Sequence, residues 1–278
     1  MPTKADAHSV TVMSAAANAS VLSVMRRGDG GHVSSPDELS VRANATVPGD
    51  ADIASIAALM GNPARGAMLG ALMGGRALPA GELAWVARVS PSTASAHLGR
   101  LTDGGLVAAE RHGRHRYHRL ADERVAQAVE ALAALAPPRP VRSLGEDGQT
   151  TAERAARSCY DHLAGALGVA LADRLCVLGA LEPGSLGLAD PEPLRALGVE
   201  VSKLGAGRRP VTLSCLDWSE RRPHLAGELG AVTLEALLQA RWLARRPKGR
   251  AIVVTSRGRE GLREALGLDV LAAAPGCA

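Results

Sequence analysis

The sequence contains no phenylalanine, and aromatic residues of all kinds make up only 2% of its 278 positions. Any hydrophobic core must therefore consist of aliphatic side chains, which dominate the 46% hydrophobic fraction. No run of eighteen apolar residues occurs, so the sequence predicts no membrane-spanning helix. A basic and then apolar signal peptide is also missing at the N-terminus. We therefore expect a cytoplasmic protein without a membrane partner.

Common catalytic motifs are absent as well. There is no glycine-rich phosphate loop, no nucleophile elbow and no HExxH metal-binding motif. The four cysteines, Cys159, Cys176, Cys215 and Cys277, occur in a long chain without a secretion signal, which indicates reduced thiols rather than a disulfide framework. These absences predict that the protein is not an enzyme.

The stretch from Leu78 to Leu120 predicts a helix, a turn, a second helix and a β-hairpin. Ser90 and Pro91 mark the start of the second helix, because a serine hydroxyl can accept an orphan backbone N–H and proline needs no donor at the first helical position. The glycine pair at 104–105 ends this helix. Alternation of residues around the turn at 112–114 predicts the hairpin. This order is that of a winged helix-turn-helix.

The second helix of this stretch has two different faces. Ala94, Leu98 and Leu101 recur at i, i+4 and i+7 and should face the core. Small side chains on the other face would let the helix backbone lie deep in a DNA major groove, with hydroxyls near base edges or phosphates. The residues predicted to face outward are Ser92, Thr93, Ser95, Ala96 and Arg100.

The hairpin and its surroundings are strongly basic. Residues 97–119 contain five arginines against Asp103 and Glu110, and four of the eight histidines. A basic hairpin directly after such a helix supplies what clamping of DNA phosphates needs. The net charge of the chain is only +4, so affinity for DNA has to come from this local clustering. The alternative interpretation of the charges is a solvated face without a ligand.

At these residues the sequence resembles the ArsR/SmtB family of bacterial repressors, through VSPSTASAHLGRLTDGGLV and ERHGRHRYHRL, over roughly residues 53–135. The resemblance implies a homodimer, docked through the first and last helices of that span, that binds an imperfect inverted repeat in double-stranded DNA. It implies base-reading positions at Ser92, Thr93, Ser95 and Ala96, and a wing that carries Arg111, Arg114 and Arg116. Ser90, His97 and Arg100 complete the predicted DNA-binding set, and for His97 a packing role is an equal alternative.

The metal positions of that family are missing from this chain. Ala84 and Val86 stand where its thiolate sensors carry a Cys-x-Cys pair, and the predicted helix 122–135 contains no histidine. The resemblance therefore does not imply an arsenic or zinc sensor of the kinds known in that family.

The second half of the chain contains an internal repeat. HLAGALGVALADRLCVLGAL begins at His162, and HLAGELGAVTLEALLQARWL begins at His224. We expect each copy to form a helix, a helix, a hairpin and a helix, a winged-helix-like order, and the two copies to pack with approximate twofold symmetry. Longer ArsR-like regulators have a similar arrangement, and the resemblance assigns no ligand to it.

These features predict a mainly α fold with small β-hairpin wings. The expected parts are a disordered tail, a winged helix-turn-helix DNA-binding and dimerisation domain, a linker and a duplicated, effector-sensing domain, at 1–50, 51–136, 137–151 and 152–278. The two repeats of the last part span about 158–201 and 214–270.

Each repeat carries a cysteine shortly before its histidine, and these residues are the candidate effector site. Cys159, His162, Cys215 and His224 could form a four-ligand set for zinc or a softer metal. Cys159 and Cys215 could instead form a redox pair if the repeats bring them together. Two further alternatives are buried structural residues and a small-molecule pocket near Trp218. The cofactor and the effector are not identified by the sequence.

The sequence thus predicts a homodimeric repressor of transcription that an unknown effector releases from DNA. Two alternatives stay open at this point. One is a thiol- or metal-dependent activity of the Cys/His repeats, and the other is a protein-interaction module that binds no DNA, which would require that the C-terminal half covers the wing.

Overall fold

The structure is a computed structural model that describes residues 51–113, 115–137, 140, 143–247 and 249–270. The predicted tail at 1–50 lies outside the described residues, as do Arg114 and Cys277. Among the described residues, no helix combines the length and the apolar character that crossing a bilayer requires.

The first part of the fold has the predicted winged-helix order. Its elements are α1 (Ile53–Met60), α2 (Pro63–Leu72), β1 (Leu78–Pro79), α3 (Ala80–Ala87), α4 (Pro91–Asp103), β2 (Val107–His112), β3 (His115–Leu120) and α5 (Glu123–Leu135). The three strands form an antiparallel sheet in the order β1-β3-β2. The hairpin β2–β3, called the wing below, follows directly on the helix α4.

The core of this part is aliphatic, as the composition requires. Leu72, Leu83, Leu98, Leu101 and Leu120 are all fully buried or nearly so. Burial of one such side chain contributes about 1.5–3 kcal/mol. The same core cluster also takes in four small side chains from the C-terminal half, namely Cys159, Ala164, Cys215 and Ala226. The described residues from 51 onward belong to one compact unit.

The second part of the predicted linker at 137–151 is helical, because residues from 144 onward form α6 (Leu144–Ala155). The Ser143 side chain accepts a hydrogen bond from the Glu146 backbone N–H at 3.2 Å, and Glu146 and Asp147 lie in the first turn. A capping hydroxyl and acidic residues at the N-terminus stabilise a helix even where no apolar stripe reveals it.

The C-terminal half contains two copies of one arrangement. The first copy comprises β4 (Arg157–Cys159), β5 (His162–Ala164), α7 (Ala166–Val177), α8 (Glu192–Arg195) and a 3₁₀ turn (Val201–Lys203). The second copy comprises β6 (Leu213–Leu216), β7 (Pro223–Ala226), α9 (Gly227–Gln239), β8 (Leu243–Arg245), β9 (Ile252–Val254) and α10 (Ser256–Leu266).

The expected helix at the start of each repeat is wrong, because both copies begin with a short antiparallel hairpin. Tyr160 adopts a φ of 55° in the turn between β4 and β5, which reverses the chain after only three residues of strand. The hairpin expected within the second copy is confirmed as β8–β9. Its counterpart in the first copy is reduced to a single bridge between Leu181 and Leu188.

The two repeats contact each other in a reciprocal manner. Strand β5 lies against β7, helix α7 packs on β7, and helix α9 packs on β5. Two glycines allow each helix to lie close to both hairpins. A Cβ at Gly168 would be 2.5 Å from the Leu163 carbonyl oxygen of its own repeat and 3.7 Å from His224 Cβ of the other. A Cβ at Gly230 would be 2.7 Å from the Leu225 carbonyl oxygen of its own repeat and 3.1 Å from His162 Cβ of the other. This exchange of contacts is what the predicted twofold arrangement requires.

Candidate functional site

Helix α4 presents the two faces that its sequence predicts. The Ser90 side chain caps it by accepting a hydrogen bond from the Thr93 backbone N–H at 3.2 Å. Ala94, Leu98 and Leu101 are buried. The exposed residues of the opposite face are Ser92, Thr93, Ser95, Ala96 and Arg100. The predicted orientation of the helix is therefore confirmed.

The hydroxyls on the exposed face of α4 retain capacity for a further partner. Ser92 Oγ lies 3.0 Å from Ser90 Oγ, and the Ser95 hydroxyl donates to the Pro91 carbonyl oxygen at 3.0 Å. A hydroxyl has one donor and two acceptor sites, so each can still form a bond outward. His97 is only half-buried, and its Nδ1 atom is buried without a partner among the described residues.

The wing places two arginines directly opposite each other. Arg111 pairs with Arg116 in the register of β2 and β3, and both side chains are exposed. Within the described part of the chain, neither forms an ion pair, and neither does Arg100. Like charges at opposed positions of a hairpin repel, and an anion between them would offset that repulsion. The exposure of both side chains also shows that the C-terminal half does not cover this part of the wing.

Other charges of the basic stretch already have partners or are buried. Arg119 donates from Nε to Glu110 Oε1 at 2.5 Å, and this hydrogen bond lowers the pKa of Glu110. His118 is buried, and burial together with the charge of Arg116 lowers its pKa. The stretch therefore presents fewer free cations than its composition suggests.

The structure brings together the four predicted residues of the candidate effector site, which we call the Cys/His cluster. Cys159 pairs with His162 in the β4–β5 hairpin, and Cys215 pairs with His224 in the β6–β7 hairpin. All four side chains are buried. The two sulfur atoms lie 3.9 Å apart, although 56 residues separate them in the chain. The imidazole centroids lie 5.1 Å apart, and one ligand atom from each of the four residues falls within 4.8 Å of the others.

Carboxylates surround the two imidazoles. His162 Nδ1 lies 3.4 Å from Asp161 Oδ1 and 3.6 Å from Glu123 Oε1. His224 Nδ1 lies 3.6 Å from Asp217 Oδ2. In the part of the chain that the structure describes, neither Nε2 atom has a hydrogen-bond partner.

The surroundings of the cluster shift the pKa values of its side chains in opposite directions. A hydrogen bond with Cys215 and then burial raise the pKa of the Cys159 thiol. Burial opposes protonation of His162, yet the Asp161 carboxylate raises the pKa of this imidazole to about 9. Burial and the neighbouring His162 lower the pKa of His224. Two positive charges on rings this close together are unfavourable, so the pKa values of the two imidazoles shift in opposite directions despite the similar sequences of the repeats.

Sequence reasoning missed the buried and half-buried charges beside the cluster. Arg157 is fully buried and donates to Glu130 Oε2 and to Asp217 Oδ2, at 3.0 Å each. Arg209 donates to Asp161 at 2.6 and 2.8 Å and to Glu123 at 3.0 Å. The recurrence of an aspartate two residues after each cysteine was a visible signal for Asp161 and Asp217. Nothing in the sequence distinguishes Arg157 from a surface arginine.

Comparison with known proteins agrees with the winged-helix geometry. The helix-turn-helix domain family matches residues 60–109 of this chain. The HTH-type transcriptional regulator YdfF of Bacillus subtilis is 40% identical over 223 residues, which cover 79% of this chain and 99% of that protein.

Two solved structures are similar to about a third of the chain. NolR from Sinorhizobium fredii is 28% identical and covers 30% of this chain and 81% of its own, with a TM-score of 0.28. The cadmium sensor CMTR from Mycobacterium tuberculosis is 30% identical and covers 33% of this chain and 99% of its own, with a TM-score of 0.27. The extent of the match to the Bacillus protein decides the assignment: this chain belongs to the helix-turn-helix-type transcriptional regulators.

Proposed function

We propose that the protein is a homodimeric repressor that binds double-stranded DNA through the exposed face of α4 and through the wing. The observation that carries this proposal is the pair of opposed, unpaired arginines, Arg111 and Arg116, on the hairpin that follows a helix with small exposed side chains. The resemblance to bacterial repressors supports repression as the outcome of binding.

The proposed mechanism follows from the shape and charge of these elements. A dimer would place its two α4 helices in successive major grooves about 34 Å apart, the length of one DNA turn. Small side chains at Ser92, Ser95 and Ala96 allow the helix backbone to approach the bases, and the hydroxyls supply hydrogen bonds to base edges. The wing arginines would neutralise flanking phosphates, which contributes affinity for any sequence.

The alternatives of a protein-interaction module and of a thiol-dependent activity have less support. The first needed the wing to be covered, whereas Arg111 and Arg116 are exposed. The second needs a substrate to reach the thiols, whereas Cys159 and Cys215 have exposed fractions of 0% and 1%.

The wing arginines are tested by binding to duplex DNA. We expect Arg111→Ala and Arg116→Ala each to weaken binding to the protein's own promoter fragment and to a scrambled duplex alike. Each should also reduce the slope of log K against log salt by about 1, because one fewer counterion is released. Fluorescence anisotropy over a salt series measures both quantities. Arg222→Ala removes an exposed arginine in the C-terminal half and is the matched control.

A substitution on the exposed face of α4 should affect binding to the two duplexes differently, unlike a substitution in the wing. Ser92→Ala should weaken binding to the promoter fragment by about 1–3 kcal/mol and leave binding to the scrambled duplex unchanged, because a base contact discriminates between sequences. A wild-type protein that binds neither duplex at low salt would contradict the proposal as a whole.

The proposed dimer is supported by apolar side chains that α1 and α5 leave in solvent. Ile53 on α1 is 74% exposed, and Leu132 and Leu135 on α5 are 49% and 84% exposed. Exposed apolar residues on neighbouring helical turns are typical of an interaction surface. These are the helices through which the family resemblance implies docking.

We expect the double variant Leu132→Glu/Leu135→Glu to be monomeric in sedimentation equilibrium, because a second copy would have to bury two carboxylates. Its affinity for a promoter with two half-sites should fall with the loss of the dimer. Val177→Glu is the matched control, since Val177 is 73% exposed on α7, which belongs to neither of these helices. Equal dimer content in the double variant and the control would rule out this interface.

A further inference from the structure

We propose that Cys159, His162, Cys215 and His224 together bind one Zn²⁺ ion at the contact between the two repeats. The ligands would be two thiolates and two imidazoles. The proposal goes beyond DNA binding and does not depend on it. These positions are also distinct from Ala84, Val86 and the helix α5, where the family resemblance would have located a metal.

The spacing of the sulfur atoms fits a shared ion. With Zn–S bonds of about 2.3 Å and tetrahedral angles, two thiolates on one zinc lie about 3.8 Å apart. Cys159 Sγ and Cys215 Sγ are 3.9 Å apart. One ligand atom from each histidine lies within 4.8 Å of both sulfurs and of the other histidine, so only small shifts would close the set around an ion.

Each of the two imidazoles has a ring nitrogen, Nε2, that forms no hydrogen bond among the described residues. His162 and His224 are both fully buried. Buried polar atoms in proteins almost always have a partner, so these two Nε2 atoms, together with His224 Nδ1, which is also buried without a hydrogen bond to any described residue, need an explanation. Coordination of a metal supplies it for both Nε2 atoms, and His224 Nδ1 has the Asp217 carboxylate 3.6 Å away.

The opposite side of each imidazole faces a carboxylate. Metal-binding histidines usually direct their second nitrogen at a carboxylate or carbonyl, which orients the ring and increases its basicity as a ligand. His162 Nδ1 faces Asp161 and Glu123, and His224 Nδ1 faces Asp217. Arginines hold two of these carboxylates in place, Arg209 at Asp161 and Arg157 at Asp217.

The charge of the proposed centre suits its burial. Two thiolates balance the two charges of a Zn²⁺ ion, and two neutral imidazoles add none, so the centre is neutral as a whole. A buried isolated charge would be very unfavourable. A set of two sulfur and two nitrogen ligands in a tetrahedron is also typical of zinc.

A disulfide between the same cysteines fits the structure less well. The sulfur atoms would have to approach from 3.9 Å to about 2.05 Å. The bond would also leave both Nε2 atoms buried and unpartnered.

The position of the cluster indicates what the ion would do. Four protein ligands and complete burial are typical of a structural zinc site rather than of one that exchanges its metal. The ligands come from two hairpins in different repeats, and Glu123 at the start of α5 faces one of them. The ion would therefore fasten the repeats to each other and to the helix that is proposed to form the dimer.

The first test is the metal content of the full-length protein, purified under reducing conditions without chelator. We expect elemental mass spectrometry to find about one zinc ion per chain. Replacement by Co²⁺ should produce the absorption bands of tetrahedral cobalt and a thiolate-to-cobalt charge-transfer band.

We expect Cys215→Ser to weaken zinc binding by more than about 100-fold in competition with a chromophoric chelator. Loss of a residue that only hydrogen-bonds to a metal ligand already lowers metal affinity by about 10–100-fold, and Cys215 would be a ligand itself. Cys176→Ser, a thiol outside the cluster, should retain the metal and is the matched control.

A second measurement uses the wild-type chain, because Cys215→Ser could fail to fold. Removal of the metal by a strong chelator should lower the Tm and expose Cys159 and Cys215 to alkylation, and addition of Zn²⁺ should reverse both changes. Three results would each overturn the proposal: metal-free protein whose Tm does not respond to Zn²⁺, iron with acid-labile sulfide in place of zinc, or a Cys159–Cys215 disulfide in the native protein. DNA binding by the metal-free chain is a separate readout and tests the proposed function alone.

Discussion

Replacement of Arg157 by methionine is expected to lower the free energy of unfolding by about 3–5 kcal/mol. Arg157 is completely buried and donates to two buried carboxylates, Glu130 and Asp217, at 3.0 Å each. Methionine has a similar volume but no charge, so the packing would be kept while two carboxylates lose their main counter-charge. Glu130 would retain Arg250 at 3.2 Å, whereas Asp217 would retain no arginine side chain from the described part of the chain and would keep its hydrogen bonds from Gly165 and Ser219 and the His224 imidazole at 3.6 Å.

The matched control is Arg222→Met, which removes an arginine from an exposed ion pair with Asp173. Such surface pairs contribute about 0–1 kcal/mol. Urea unfolding followed by circular dichroism compares the two variants. The triple change Arg157→Met/Glu130→Gln/Asp217→Asn should recover part of the loss, because it removes the uncompensated charges. Equal midpoints for Arg157→Met and Arg222→Met would show that the buried network does not stabilise the fold.

Gly168→Ala is expected to destabilise the protein by about 1–3 kcal/mol through overpacking. The added Cβ would lie 2.5 Å from the Leu163 carbonyl oxygen and 2.8 Å from its carbon, and these backbone atoms belong to the hairpin that carries His162. Either the helix α7 or the strand β5 would have to move. The loss would occur even though alanine is intrinsically a better helix former than glycine.

Gly148→Ala separates the steric effect of the added Cβ from the higher helix propensity of alanine. Gly148 also lies within a helix, α6, but a Cβ there meets no atom within 4 Å. This change should therefore increase the free energy of unfolding by about 0.5–1 kcal/mol. Thermal and urea unfolding measure both variants. If the two glycine changes shift stability in the same direction, the close approach of α7 to β5 is not a constraint on the fold.

Local signals account for what could be predicted of the DNA-binding part. A capping serine, a proline at the first helical position and the spacing of Ala94, Leu98 and Leu101 are sufficient for the orientation of α4. The bounds of the wing follow from one glycine turn and the alternation around it. Each of these signals acts within a few residues, so tertiary contacts were not needed to interpret them.

Long-range packing determines the features that could not be predicted. The partners of Arg157 lie 27 and 60 residues away in the chain, and arginine is ordinarily exposed. The strands around Cys159 and Cys215 have three or four residues, too few for alternation to identify them. The Cys/His cluster could be predicted in part. The internal repeat indicated the four residues, but only the fold shows that they lie close together.

The core that Cys159, Ala164, Cys215 and Ala226 share with the winged helix has a consequence for how this protein is organised. Its DNA-binding half is not an autonomous module to which a sensor has been appended, since part of its interior is supplied by strands more than twenty residues beyond α5. Exchange of the C-terminal half between regulators, as a means of changing their input, would have to preserve those small side chains. The C-terminal half of this protein could therefore be replaced only by one whose small side chains fit the core of the winged helix.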